Sequence, residues 1–478
     1  MLPSRVVVVS FRFRPNRDDI HGGQDAFVHD LVRELRARGT AVDVITFRGR
    51  DDAEEAISDG ARVHLLETPY SAELTAHEAH QRGTWRLLEV MESYSNAVER
   101  FLPKLRARIG GPLTILSHDI AEARWVRGAR RAGDRIVTFG HVFFSEFALE
   151  DLTSAELERM HARAHFPLPL LTIGRMLLRR SDARQQLERA ARVFRRPELL
   201  ALLPGPARAA LAGERSAFVD AHRVLLPARA MLEKVAAAYP RADADRALSV
   251  APWGIGLSSA TEDDVATLAR KYAIDEGDRV LVTMSRLSPD KRIDALLTAL
   301  KRVEEIAPAL AKKTVVVLCG RPSFLEDHAY QRALIEQAKT LQHARVVFAG
   351  FQRGVDRTAH LRLGTRFVQI GRYEAFGLGI AEALSLGLPA ITSDTDGARE
   401  ILGSDTQAAH VVRGAPFEES LAHAIVTELG GARRDELRES AARRIGQRFA
   451  WGGTIDAISG AIGSISGTVR ARATSRAE

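Results

Sequence analysis

The chain has 478 residues, 45% of them apolar, with 68 lysines and arginines against 61 carboxylates and a formal net charge of +7. This is enough for two or three domains with large buried cores, and a single cysteine excludes a disulfide framework or a cysteine-built zinc site. The positive balance either favours anionic partners such as phosphates, nucleic acid or a membrane surface, or reflects an arginine-rich composition.

At the N-terminus, Met1 to Arg5 leads into a short apolar run that ends before Arg12 and Arg14. This is too short for a signal peptide or a membrane span, and no later apolar run reaches spanning length. Val6 to Ser10 reads as a buried strand. Gln24 to Arg38 has helical periodicity, with Phe27, Val28, Leu31, Val32 and Leu35 on one face, and Gly39 ends it. Val42 to Phe47, Leu113 to Ser117, Arg135 to Phe139 and Arg223 to Leu226 read as further strands. Alternating strands and helices of this kind are expected to form an open parallel sheet with helices on both faces.

Residues from about 150 to 215 break the rhythm and read as a helical insertion. His161 to Leu200 carries nine arginines against Asp182, Glu188 and Glu198. The segment could cover an acceptor site, touch an anionic surface, or form a solvated basic face.

The strand-helix pattern restarts after Ala251-Pro252-Trp253-Gly254-Ile255-Gly256, a stiff-then-flexible run suited to a linker. Arg279 to Met284, Thr314 to Cys319, Arg345 to Ala349, Phe367 to Ile370 and Pro389 to Thr392 read as strands, and Arg292 to Glu305 as a helix. Cys319 reads as a buried strand residue, which fits a reducing cytoplasm. The last forty residues or so, from Ala441, read as helix with Phe449 and Trp451 as apolar anchors, and Ser466 to Glu478 as a frayed polar tail. The fold class expected is α/β, two doubly wound domains facing across a cleft: residues 1–251, residues 252–448, and a C-terminal helix in 449–478 crossing back to the first.

The chemistry concentrates in the second half. Arg286 and Lys291, in Ser285-Arg286-Leu287-Ser288-Pro289-Asp290-Lys291, follow a strand and precede a helix, where both could reach an anion. Arginine offers a planar fork to phosphate oxygens and lysine a compact charge. Downstream, Glu374-Ala375-Phe376-Gly377-Leu378-Gly379-Ile380-Ala381-Glu382 sets two carboxylates eight positions apart. Its glycines admit close backbone approach to a ligand. The helix that begins there turns free N–H groups toward a diphosphate. Glu374 can accept hydrogen bonds from sugar hydroxyls and Glu382 from a ribose pair.

These pieces resemble the retaining glycosyltransferases of the GT-B fold, of the family 4 type that includes sucrose-phosphate synthases and glycogen synthases. The E-x7-E pattern is Glu374 to Glu382. "SRLSPDK" resembles the group's GRL-x-x-E/D-K loop, and "HGGQDAFVHDLVRELRARGTAVDVIT" its N-terminal glycine loop, helix and second strand. "AHRVLLPARAMLEKVAAAYP", "LSVAPWGIG" and "LPAITSDTDGARE" match further blocks in the same order, covering most of the chain except the insertion.

The resemblance implies that Arg286 and Lys291 bind the donor diphosphate. It implies that Glu374 contacts the donor sugar, helped by backbone at Phe376, Gly377 and Leu378, and that Glu382 holds the ribose. Gly22 and Gly23 match the glycine loop facing phosphates and acceptor. His141 matches a histidine near the reacting centre, and His118 one near the acceptor. The implied donor is a UDP- or GDP-sugar, with no cofactor and no metal, and the acceptor is a small molecule or carbohydrate rather than nucleic acid. The expected location is cytoplasmic, with peripheral contact at the inner membrane face if the basic insertion docks there. Alternatives are a transferase acting on a lipid acceptor at a membrane surface, or a non-catalytic sugar-nucleotide-binding protein.

The sequence departs from the group's pattern at Gly371, where a small hydroxyl residue is common, and at Asp396 and Ala398 in the turn before Glu400. The loop Arg12 to His21 is unusually charged. Asp394-Thr395-Asp396 has the D-x-D form of manganese-binding transferases but falls where this group needs no metal. Gly254-Ile255-Gly256 lacks the helix and third glycine of a dinucleotide fingerprint.

Overall fold

The computed structural model describes residues 2–15, 22–75, 84–141, 212–239, 247–322, 325–403, 408–431 and 435–474. The basic insertion expected at 150–215 falls almost wholly outside them. The chain divides into two compact units. The first is Met1–Ile20, Val28–Ala251 and Ile455–Glu478, and the second is His21–Phe27 and Pro252–Thr454.

In the first unit, β1 (Arg5–Val9) is followed by α1 (Gly23–Ala37, of which Gly23 to Phe27 belong to the second unit), β2 (Ala41–Phe47), β3 (Glu55–Ser58), β4 (Ala61–Leu66), α2 (Thr84–Ile109) and β5 (Thr114–Ser117). Then come α3 (Trp125–Arg131), β6 (Arg135–Phe139), β7 (Arg223–Leu226), α4 (Arg229–Ala238) and β8 (Leu248–Val250). The eight strands lie in the order β3-β4-β2-β1-β5-β6-β7-β8. β1 pairs in parallel with both β2 and β5, whereas β3 runs antiparallel to β4 at the edge. The valines of β1 are buried on both faces, the pattern a central parallel strand requires when helices cover both sides. Because the chain leaves β1 in one direction and returns at β5 on its other side, the order reverses between these two strands.

The second unit has a six-stranded parallel sheet. Its elements are α5 (Glu262–Lys271), β9 (Arg279–Met284), α6 (Ile293–Ile306), α7 (Pro308–Ala311), β10 (Thr314–Cys319), α8 (Leu325–Ala338), β11 (Arg345–Gly350), α9 (Gly354–Leu363) and β12 (Arg366–Gln369). They continue with α10 (Leu378–Ser385), β13 (Ala390–Ser393), α11 (Asp396–Leu402), β14 (Ala409–Val412), α12 (Phe417–Gly430), α13 (Asp435–Arg448) and α14 (Trp451–Thr474). The order β11-β10-β9-β12-β13-β14 is that of a doubly wound nucleotide-binding sheet, with its switch point between β9 and β12. β10, TVVVLC, is buried at every position. α6 turns Ile293, Leu296, Leu297, Leu300 and Val303 inward, where they meet Leu421, Ile425 and Leu429 of α12.

The strands expected from apolar runs are present within a residue or so. β3, β4, β8 and β14 were not expected. β3 and β4 carry charged or polar side chains (EAIS, ARVHLL), and β8 and β14 are only three and four residues long, so no apolar run marks them. Two local expectations are corrected. The helix expected from Arg292 starts at Ile293, because Arg292 takes a left-handed backbone at φ +55° after a single 3-10 turn at Pro289–Lys291. The tail expected to fray from Ser466 continues as α14 to Thr474. That helix begins in the second unit and belongs to the first from Ile455 onward. There Ile458, Ile462 and Ile465 are buried, and Arg223 donates from Nε to Ser464 Oγ at 2.7 Å. Among the described residues, no helix is long and apolar enough to cross a membrane.

Candidate functional site

In the second unit, the loops after β9 and β12 emerge side by side at the switch point, where open α/β sheets bind ligands. The first carries Arg286, Asp290 and Lys291, and the second carries Glu374 to Leu378. Residues 83 positions apart in sequence therefore meet: Lys291 donates from Nζ to Glu374 Oε1 at 2.7 Å, and the carbonyl of Tyr373 lies 3.4 Å from the same nitrogen. The loops are also joined through their backbones, with Arg372 N–H donating to Asp290 O at 2.8 Å.

Asp290 organises the basic side. It lies 3.2 Å from Arg286 and 3.5 Å from Lys291, and Ser288 donates to its second oxygen. Burial alone would raise its pKa, but Arg286 and Lys291 outweigh that and hold the carboxyl below the usual range. Burial works against the Lys291 charge too, and Glu374 and Asp290 reverse this, raising its pKa. Arg286 also reaches Asp327 of α8, at 3.9 Å. The two cations are thus fixed by carboxylates at a partly buried position, with the N-terminus of α10 in the adjoining loop.

Glu374 is set by the backbone around it. Gly377, at φ +86°, takes the left-handed conformation that opens α10. Gly397, in the first turn of α11, donates its N–H to Glu374 O at 2.8 Å. A Cβ at Gly397 would stand 2.2 Å from Phe376 O, so α11 approaches this loop as closely as only glycine permits. Phe376 itself is buried among Trp253 and Phe449, with ring centroids 5.7 and 5.3 Å away. Trp253 stacks in turn on Phe27 at 5.0 Å, near the start of α1. Gly22 accepts from Ala26 N–H at that start, and a Cβ on Gly23 would lie 3.6 Å from Trp253.

Glu382, on α10, is only 4% exposed. Both Nε and a terminal nitrogen of Arg357, on α9, donate to its Oε2, the former at 2.9 Å. Sequence reading missed this partner. Arg357 precedes Glu382 by 25 positions on a different helix, and no motif marks it.

Asp394 and Asp396 are engaged by arginines: Arg399 donates to Asp394 at 2.7 Å and to Asp396 at 3.3 Å, and Arg413 to Asp394 at 3.0 Å. Thr395 caps α11 by accepting from Ala398 N–H. The D-x-D form here is a capped helix start within an ion-pair cluster.

In the first unit, His118 follows β5 and His141 follows β6. Both are buried, and His118 Nδ1 and His141 Nε2 share a hydrogen bond of 2.9 Å. His118 also stacks on Phe139 at 4.4 Å. Burial pushes His141 down to about 3, with help from the Arg12 guanidinium, and it pushes His118 well below its ordinary value, with help from His141. Both imidazoles are therefore neutral near pH 7, able to pass a proton between them or hold a hydroxyl. Beside them Phe11 N–H donates to Asp119. Burial, reinforced by Asp119, raises the pKa of the Glu122 carboxyl well above its ordinary value. Arg12, from the charged N-terminal loop, acts on both His141 and Glu122. The Arg12 charge thus bears on the buried cluster, a link that residue spacing does not reveal.

Residues 264–444 match the family described as glycosyl transferases group 1. A D-inositol 3-phosphate glycosyltransferase of Geodermatophilus obscurus is 28% identical over 298 residues, 62% of this chain and 61% of the relative. A second relative of the same description, from Jonesia denitrificans, is matched over 49% of its length, so the chain spans about half to three fifths of these relatives. The sucrose-phosphate synthase of Thermosynechococcus elongatus superposes with a TM-score of 0.65 at 17% identity, covering 98% of this chain and 99% of the other. An Anabaena protein, Alr3699/HepE, solved in complex with UDP-glucose, superposes with a TM-score of 0.57 at 14% identity, covering 98% of this chain and 99% of the other. The chain has the GT-B fold, and residues 264–444, the stretch that carries Lys291, Glu374 and Glu382, match the group 1 glycosyl transferase family.

Proposed function

We propose that this protein transfers a sugar from a nucleoside-diphosphate sugar to a hydroxyl of a small-molecule or carbohydrate acceptor, with retention at the anomeric carbon. The observation that carries the reading is the meeting of Lys291 with Glu374, backed by Asp290 and Arg286, at the switch point of the second sheet. A donor diphosphate placed there meets two cations and the N–H groups that open α10. Its sugar meets Glu374, and its ribose meets Glu382.

As the bond from the anomeric carbon to the β-phosphate oxygen breaks, charge grows on the diphosphate. Arg286, Lys291 and the helix N-terminus stabilise that charge from fixed positions, which makes the reaction independent of a divalent cation. The acceptor oxygen bonds to the anomeric carbon from the face the phosphate leaves, and the departing phosphate takes the acceptor proton. The products are the glycoside and the nucleoside diphosphate. The neutral pair His118 and His141 serves the acceptor and the sugar hydroxyls.

The test is release of nucleoside diphosphate from a panel of UDP-, GDP- and ADP-sugars with candidate acceptors, in the presence and absence of EDTA. Turnover that persists in EDTA and is lost in Glu374→Gln supports the reading. Turnover that requires added metal, or that is untouched by Glu374→Gln, overturns it.

A further inference from the structure

We infer that Arg357 is a positioning residue that makes the nucleotide site selective for ribose over 2′-deoxyribose, acting through Glu382. The inference rests on the proposed role of Glu382 as the ribose-binding carboxylate.

Three observations carry it. First, the Glu382 side chain is 6% exposed and that of Arg357 is 24% exposed. A carboxylate this buried is costly without a charged partner, so the pair is not the weak surface contact that most exposed ion pairs are. Second, Arg357 directs both Nε and a terminal nitrogen to one oxygen, Oε2. A carboxylate held by one oxygen turns the other in a single direction, so Oε1 is presented in one orientation to a diol. Third, α9 is itself held fast. His360 meets the Tyr272 hydroxyl at 2.9 Å, and Arg362 donates to Ala260 O and Glu262. Arg357 therefore reaches Glu382 from a braced helix rather than from a loose loop.

A ribose diol gives the fixed Oε1 a donor hydroxyl at both the 2′ and 3′ positions, whereas a 2′-deoxyribose gives only one. A carboxylate free to turn would discriminate less, because it could reorient toward the single remaining hydroxyl. The selectivity thus depends on the orientation Arg357 imposes, although Arg357 itself touches no nucleotide.

The experiment is calorimetric binding of UDP, GDP and ADP and of their 2′-deoxy counterparts to the full chain. It compares wild type with Arg357→Ala, Glu382→Ala and the double variant. Wild type should prefer the ribonucleotide by about tenfold, roughly the worth of one hydrogen bond to a charged group. Arg357→Ala should bring ribonucleotide affinity down close to that of the deoxynucleotide, with deoxynucleotide affinity changed by less than about threefold.

Should Arg357→Ala not fold, Glu382→Ala and the double variant decide. Equal affinities in the two mean that Arg357 acts only through Glu382. A further loss in the double variant means that it contacts the nucleotide itself, which overturns the inference. Equal weakening toward both sugars in Arg357→Ala, or an undiminished ribose preference, overturns it as well. Failure of wild type to bind any nucleoside diphosphate overturns the proposed function along with this inference. Binding by wild type without ribose preference removes the role of Glu382 while leaving the transferase reading standing.

Discussion

The Lys291 ammonium lies 2.7 Å from Glu374 Oε1, bridging the loops that follow two adjacent strands at the centre of the second sheet. The contact pairs the group proposed to receive the leaving phosphate with the group proposed to hold the sugar. It also draws the two loops together.

Lys291→Ala should lower kcat/KM for the nucleotide-sugar by about 10²- to 10³-fold, the scale of removing one fixed stabiliser of transition-state charge. It should also destabilise the unit by roughly 3 kcal/mol, because Glu374 and Asp290 both lose a partner at partly buried positions. Steady-state kinetics and thermal unfolding of the same preparation check both outcomes. Unchanged turnover would remove Lys291 from the mechanism.

Gly397→Ala should impair donor use without touching any charged group. Its new Cβ would stand 2.2 Å from Phe376 O, 2.3 Å from its carbonyl carbon and 2.8 Å from its Cα, so backbone has to move. The same residue holds Glu374 O through its N–H, so the shift passes to the sugar-binding loop. A loss of about 1–3 kcal/mol in stability is expected, with a rise in donor KM. A donor KM equal to wild type would mean that α11 does not set the loop.

His141→Ala should reduce turnover by about 10²-fold while leaving nucleoside diphosphate affinity within about threefold of wild type. The expected split follows from its place in the first unit, whereas the diphosphate groups are in the second. An equal loss of nucleoside diphosphate affinity would assign His141 to the donor rather than to the reacting sugar and acceptor.

Stability should fall as the solution is acidified from about pH 6.5 toward pH 4. Burial holds His141 at about 3 and, with Arg130 and Arg223, His222 at about 4, against about 6.5 in an unfolded chain. Between these values the unfolded chain binds protons that the folded chain does not. Their contribution is therefore full above about pH 6.5 and is lost as pH drops toward the folded values. Ile136 N–H donates to His222 Nδ1 at 3.2 Å, which requires that nitrogen unprotonated. His222→Gln should flatten the decline of Tm between pH 6.5 and 4.5, and an unchanged slope would place the acid sensitivity elsewhere. Asp290, held below the ordinary carboxylate range, loses its contribution only at lower pH, outside that window.

Much of the second unit is legible in the chain itself, because β9 and β10 are rich in β-branched residues and the site loops directly follow β9 and β12. Arg279–Met284 and Thr314–Cys319 coincide with β9 and β10. β3, β4 and β14 escaped because a strand at or near a sheet edge needs no long apolar run to be held by its neighbour. His118 and His141 could each be singled out from motif position, but their shared hydrogen bond arises only when β5 and β6 pair in register.

Sequence by itself determined the alternation of strands and helices, the second-half restart, and which side chains follow the ends of β9 and β12, since these depend on local pattern and chain order. Tertiary structure alone decided that Lys291 meets Glu374, that Gly397 clamps Phe376, and that Glu382 is held by Arg357 from another helix. Each of those contacts joins residues 21 to 83 positions apart, and their meeting is set by the order in which strands add to the sheet and by how closely helices settle on it.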